Sequence, residues 1–155
     1  MRRIVPVAFL SAVFAVAVSL PANAPPKYKT IEVKHLTKAD NVELTQEYMN
    51  YTYAHLLEDL QKTKLFGAVV DDGGTVADAD AADSVVLQCK VTDFTKAHFP
   101  VVASAHVDIT ITRRSDNAVV QHTTTKVAWQ PNSNDDTKGK LTSGQMTAEI
   151  KKLLK

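Results

Sequence analysis

Residues 101–113, VVASAHVDITITR, place an apolar side chain at every second position: Val101, Ala103, Ala105, Val107, Ile109 and Ile111. Side chains of an extended strand alternate between faces, so this run reads as a strand with one buried and one wet face. The flanking stretches repeat the period. In Ser84–Phe94 the odd positions are apolar through Val91, and in Val119–Gln130 the weaker inward set is Val119, Val127 and Trp129, with threonines between. Three successive runs of period two predict an antiparallel meander. A turn at Asp116-Asn117-Ala118 joins the last two. Pairing Ser115 with Val119 puts Val107 opposite Val127, Ala105 opposite Trp129 and Asp108 opposite Lys126. Matched apolar pairs and an opposite-charge pair favour that register over a one-residue slip, which would set Val107 against Lys126.

Upstream of the meander, Tyr28–Leu36 reads as a first strand, with Ile31 and Val33 facing one way and Lys29, Glu32 and Lys34 mostly outward. Thr37–Asn41 is a turn. Asp40, with Glu43 three residues on, resembles a helix cap with its reciprocal partner. A long helix is expected from about Val42 to Lys64, with Val42, Met49, Tyr53, Leu56 and Leu60 forming its main apolar stripe. Leu65–Val70 is a short strand, and Thr75–Ala82 a small, acidic surface loop. After the meander, Pro131–Gly139 reads as a polar loop. A closing helix follows from about Ser143, with Met146, Ile150 and Leu153 on one face. A helix joining the first two strands lets them lie parallel, and the meander extends the sheet antiparallel. The expected fold is therefore a single α+β domain over residues 25–155: one mixed, mostly antiparallel sheet with helices packed on one face.

The N-terminus carries a different signal. Arg2 and Arg3 precede an apolar run from Ile4 to Leu20, which ends at Pro21 and Ala22-Asn23-Ala24. A charged start, a short apolar core and an A-x-A end make residues 1–24 a secretory signal peptide rather than a membrane anchor. Pro25 directly after Ala24 leaves cleavage after Ala22 as the alternative bond. With no cysteine at the end of the signal, lipidation is not expected, and the processed protein should be periplasmic or secreted, free of a membrane anchor.

Composition narrows the function. Losing Arg2 and Arg3 takes the formal charge from +1 to −1, which argues against nucleic acid and anionic membrane surfaces as partners. Cys89 is the only cysteine, so no internal disulfide can form; it sits in the apolar series Val85, Leu87, Cys89, Val91 and reads as core. His35, His55, His98, His106 and His122 show no metal-ligand spacing, and His106 and His122 sit several residue pairs apart along the expected hairpin. Asp78, Asp80 and Asp83 lack the spacing of a calcium loop and read as solvated acids. No nucleophile, base and orienting group assemble from these residues, so neither catalysis nor a cofactor is expected.

One feature of the long helix points to a partner. Leu44, Tyr48, Tyr51 and His55 follow i, i+4, i+7, i+11 spacing, a second stripe roughly opposite the first. A helix lying on a sheet needs one apolar face. The second is either covered by the C-terminal helix or the N-terminal lead-in, or it is a possible protein-contact surface, a role that suits tyrosine.

The element order, with Tyr28-Lys-Thr-Ile-Glu-Val33, Leu60-x-x-x-x-Leu65-Phe66, Ala82-Asp83-Ser-Val-Val-Leu87 and Val107-Asp-Ile-Thr-Ile-Thr112, resembles a family of bacterial exported proteins of unknown function. The plan is similar to the N-terminal domain of the periplasmic Tol–Pal protein, to the curli-export lipoprotein and to lipoprotein activators of penicillin-binding proteins. The resemblance spans nearly all of residues 28–154 and rests on packing patterns. It implies a non-catalytic accessory domain of the cell envelope that works through contacts with envelope proteins. The alternative is a periplasmic small-ligand or lipid-binding protein, using the concave face of the meander or the helix–sheet seam.

Overall fold

A computed structural model describes residues 27–98, 101–130 and 132–155, so the expected export signal lies outside the described residues. The elements in chain order are β1 (Tyr28–Val33), β2 (Thr37–Lys38), α1 (Gln46–Thr63), β3 (Phe66–Val70), β4 (Ser84–Thr95), β5 (Ala103–Arg113), β6 (Val119–Trp129) and α2 (Asp135–Leu153). The sheet order is β3-β1-β4-β5-β6, and the two-residue β2 pairs with β4 off this path. β1 pairs parallel with both β3 and β4, and β4, β5 and β6 form the antiparallel meander. This is the expected α+β architecture.

Period two does what the sequence demanded of β4 and β5: Val85, Leu87, Cys89, Val91, Ala105, Val107, Ile109 and Ile111 all lie in one core with Ile31 and Val33 of β1. Met49, Leu56 and Leu60 of α1 and Met146 and Ile150 of α2 close over it. Tyr48 meets Trp129 edge to face, with ring centroids 5.5 Å apart. The Thr142 hydroxyl lies between them, 3.0 Å from the Tyr48 hydroxyl and accepting from Trp129 Nε1–H at 3.1 Å. Both aromatic polar groups are thereby satisfied in the interior.

Several boundaries differ from the sequence expectation. α1 starts at Gln46, not near Val42, and its cap is Thr45, whose hydroxyl accepts from Tyr48 N–H, in place of Asp40. The chain before it is held extended: Thr37–Lys38 pairs with β4, and Ala39 N–H donates to the Val91 carbonyl. Val42 is buried but not helical. β1 stops at Val33, Asp78–Asp83 forms a short 3-10 helix, and β5 begins at Ala103, leaving Val101 and Val102 exposed.

The β5–β6 register is also corrected. Ala105 pairs with Val127, Val107 with Thr125, and Asp108 with Thr124, not Lys126. The turn is longer than expected, because Arg113 N–H donates to the Ala118 carbonyl and Asn117 adopts φ 56°. A bulge after Thr112↔Val119 then adds one residue to β6. The net slip is two residues, so faces are kept and opponents change. The bulge also leaves Val119 63% exposed, where the sequence reading had it inward.

α2 begins eight residues before the expected Ser143. Asn134 caps it, accepting from Thr137 N–H, with Asp135 and Asp136 in the first turn, where carboxylates suit the positive end of a helix. Gly139 sits where α2 meets α1: a Cβ there would lie 2.9 Å from Thr52 N. The interior glycine masks the helix in the sequence, yet it is what lets the two backbones approach.

Candidate functional site

The two helices leave the other face of the sheet open. Glu32, expected outward, is only 4% exposed. Lys34 Nζ donates to Glu32 Oε1 at 2.5 Å and to Asp72 Oδ1 at 3.0 Å, and the Arg114 guanidinium donates to Glu32 Oε2. A carboxylate out of water is tolerated when its lone pairs are taken by cations, as here. Glu32 and Lys34 share a strand face by their two-residue spacing. Arg114 reaches them only because its N–H bonds the Ser84 carbonyl at 3.0 Å, bringing the end of β5 beside the start of β4.

Tyr53 ties this face to α1. Its hydroxyl donates to the Val33 carbonyl at 3.2 Å and accepts from Asp72 N–H at 2.8 Å, and its ring lies 4.2 Å from that of His35. Burial pushes the Tyr53 phenol up. The His35 backbone N–H, then Lys34, hold the Asp72 carboxyl below the usual aspartate value. These bonds fix the loop after β3 at the rim of the open face.

The pairing sets polar groups in two rows. The Lys34 N–H bond to the Leu87 carbonyl places Lys34 beside Gln88; Gln88 then stands opposite Thr110, and Thr110 opposite His122. In the next row Lys90 is opposite Asp108, and Asp108 opposite Thr124, whose hydroxyl donates to it at 2.6 Å. A depression of about 510 Å3 lies over these rows, and a second of about 340 Å3 adjoins it through Lys34 and Gln88 toward Arg114.

The stripe expected as a possible partner surface is divided by α2. Leu44 lies before the helix and is half-buried. Tyr48 is fully buried, and that burial raises its phenol pKa. Tyr51 is 38% exposed, and its Cβ faces Gly139. His55 Nε2 lies 2.8 Å from Asp136 Oδ1. Tyr51 and His55, with Asp136, are what this stripe presents outside.

The remaining candidates are scattered. His98 Nδ1 is 3.3 Å from the Lys96 carbonyl, and His106 pairs with Asp93 at 3.4 Å, away from His122. Asp80 and Asp83 pin their segment to Lys29. Among the described residues no group of three His, Cys, Asp or Glu side chains is placed to hold a metal ion. Cys89 is buried, and desolvation pushes its thiol up to about 12.

No protein-family model matches the chain, and no curated protein matches it in sequence. Similar solved structures exist. The PelC dodecamer from Paraburkholderia phytofirmans superposes at a TM-score of 0.57 with 13% identity, covering 83% of this chain and 89% of that one. Protein XCC0632 from Xanthomonas campestris does so at 0.54 with 15% identity, covering 86% of each. A neuraminyllactose-binding hemagglutinin homolog from Helicobacter pylori reaches 0.51 with 9% identity, covering 84% and 85%. TolB from Acinetobacter baumannii reaches only 0.40 over 29% of its length, so the expected Tol–Pal likeness carries no argument. At these identities the likeness is one of fold: this chain has the α+β fold of PelC and XCC0632.

Proposed function

We propose that this protein is an exported accessory domain of the cell envelope that acts by protein contact, without catalysis, and that the contact forms on the outer edge of β6. The observation that carries this reading is that β6, eleven residues long, ends the sheet. Arg113 N–H points to β6, so alternation along the ladder makes the odd residues of β5 bond to it. Their partners Gln121, Thr123, Thr125 and Val127 face β5, and the N–H groups of His122, Thr124 and Lys126 turn outward. A long strand with free backbone groups is a template for a strand from another chain.

Two further points support the reading. A likeness of fold to PelC, which is a dodecamer, suits a domain that associates through its surface. Export rests on residues 1–24, and no helix among the described residues is long and apolar enough to cross a membrane. Periplasmic or secreted residence without lipidation belongs to the same proposal, with envelope proteins, a second copy of the chain included, as partners.

The test is crosslinking in intact cells from a photoreactive residue at Ala128, together with Lys126→Pro, which removes an outward N–H without touching the β5 ladder. Crosslinks that vanish in Lys126→Pro, while near-ultraviolet dichroism of Trp129 is kept, support the edge. Crosslinks unchanged by the proline overturn it. The mature N-terminus, read by mass spectrometry, should be Asn23 or Pro25; an intact Met1 overturns export.

A further inference from the structure

We infer that the depression on the open sheet face is a binding site for an acidic sugar, a hydroxylated ring carrying one carboxylate. Adjacent strands lie about 4.8 Å apart, so the row Lys34, Gln88, Thr110, His122 spans about 14 Å of regularly spaced donors and acceptors. An apolar ligand or lipid tail would touch the lysine stems and threonine methyls but leave the polar ends of these side chains without partners. A ligand with a hydroxyl on each ring carbon can satisfy such a row, and the planar Gln88 amide can hold two neighbouring hydroxyls at once.

Charge narrows the class. Lys34 is already committed to Glu32 and Asp72, and Asp108 accepts from Thr124. Among the described residues Lys90 is in no ion pair, although Asp108 stands opposite it, and Gln88, Thr110 and His122 make no side-chain hydrogen bond to the protein. The site thus offers one uncommitted ammonium group, and the fixed Asp108 carboxylate beside it disfavours a second anionic charge on the ligand. One carboxylate on an otherwise hydroxylated molecule matches this balance, whereas a polyanion does not. A volume of about 510 Å3 falls in the range of small-molecule sites.

The test is a titration of the isotope-labelled protein, purified as the cell processes it, followed by amide NMR shifts. The probes are glucuronate, glucose, acetate and inorganic phosphate. Glucuronate should shift Gln88, Lys90, Thr110 and His122, and bind more tightly than the other three. Lys90→Ala should weaken glucuronate roughly tenfold and leave glucose unchanged, the loss of one charge-assisted hydrogen bond. Gln88→Ala should weaken both sugars. The proposal is overturned if glucuronate shifts none of these amides, if glucose binds as well, or if acetate or phosphate reproduces the binding. Lys90 is exposed and away from the outer edge of β6, so failure here and failure of the protein-contact reading are separate results.

Discussion

Exchanging Gly139 for alanine, and separately Gly144, tests how α1 and α2 pack, with the control built into the same helix. A Cβ at Gly144 would meet nothing within 4 Å. At Gly139 it would lie 2.9 Å from Thr52 N, 2.9 Å from Tyr51 Cβ and 3.0 Å from Tyr51 C. Two of those atoms are main chain of α1, so no rotamer change relieves the clash and the helices must separate by some tenths of an ångström. Glycine to alanine inside a helix gains about 1 kcal/mol from backbone propensity. Gly144→Ala should show that gain in full. Gly139→Ala carries the same gain, opposed by an overpacking cost of about 1–3 kcal/mol. Propensity cancels between the two variants, so their difference, about 1–3 kcal/mol, reports the close approach alone. Urea unfolding measures it: at a slope of about 1–3 kcal/mol per molar, the midpoints should differ by about 1 M, with Gly139→Ala lower and the slopes equal. If Gly139→Ala stabilises as much as Gly144→Ala, α2 does not approach α1 at Tyr51 and Thr52, and the helix pairing described above is wrong.

Other expectations follow from the same packing. Arg114→Leu should cost about 1–3 kcal/mol, because it leaves the buried Glu32 with one fewer cation; Glu32→Leu should cost less, since Lys34 and Arg114 can turn to water. Equal losses in denaturant unfolding would count against a buried carboxylate. Thr142→Val should destabilise by about 2 kcal/mol or more, as it strands both Tyr48 O–H and Trp129 Nε1–H, whereas Tyr48→Phe should cost only about 1 kcal/mol. The near-ultraviolet spectrum of Trp129 should move in the first variant. Cys89, buried and with its thiol at about 12, should ignore an aromatic disulfide reagent at pH 8 until denaturant is added; rapid labelling of the folded protein would show an open core. Asp72 has a lowered folded value, so its contribution to stability is complete above the ordinary aspartate pKa of about 3.9 and is lost as pH falls through the folded value. Asp72→Asn should therefore narrow the gap in stability between neutral and acid pH, and a slope identical to that of the parent would refute the His35 and Lys34 contacts.

Strand identity was legible in β4 and β5 because burial of one face forces an alternation that no other structure shares. The alternation of Val85–Val91 and of Ala103–Ile111 needed nothing beyond the chain itself. The helix starts were less legible. Asp40 and Glu43 satisfied a local capping pattern, but pairing of Thr37 and Lys38 with β4 kept the segment extended and moved the cap to Thr45. Gly139 counted against a helix locally, while its missing side chain is required by α1. The second stripe on α1 was visible as a pattern, but whether Tyr48 faced water depended on where α2 begins. Nothing in the sequence joined Arg114 to Glu32, which are 82 positions apart.

By itself the sequence determined the α+β class, the parallel crossover followed by a meander, and the inward faces of the central strands. Each follows from periodicity or composition within a few consecutive residues. The tertiary structure alone decided the β5–β6 register, the burial of Tyr48 under α2, the pairing of Glu32 with Arg114 and the rows that line the open face. A strand's faces are fixed by its own alternation, but its opponents depend on bulges and turn lengths, which change by whole residues without disturbing that alternation. The sites assembled across strands therefore emerge only when every register is set.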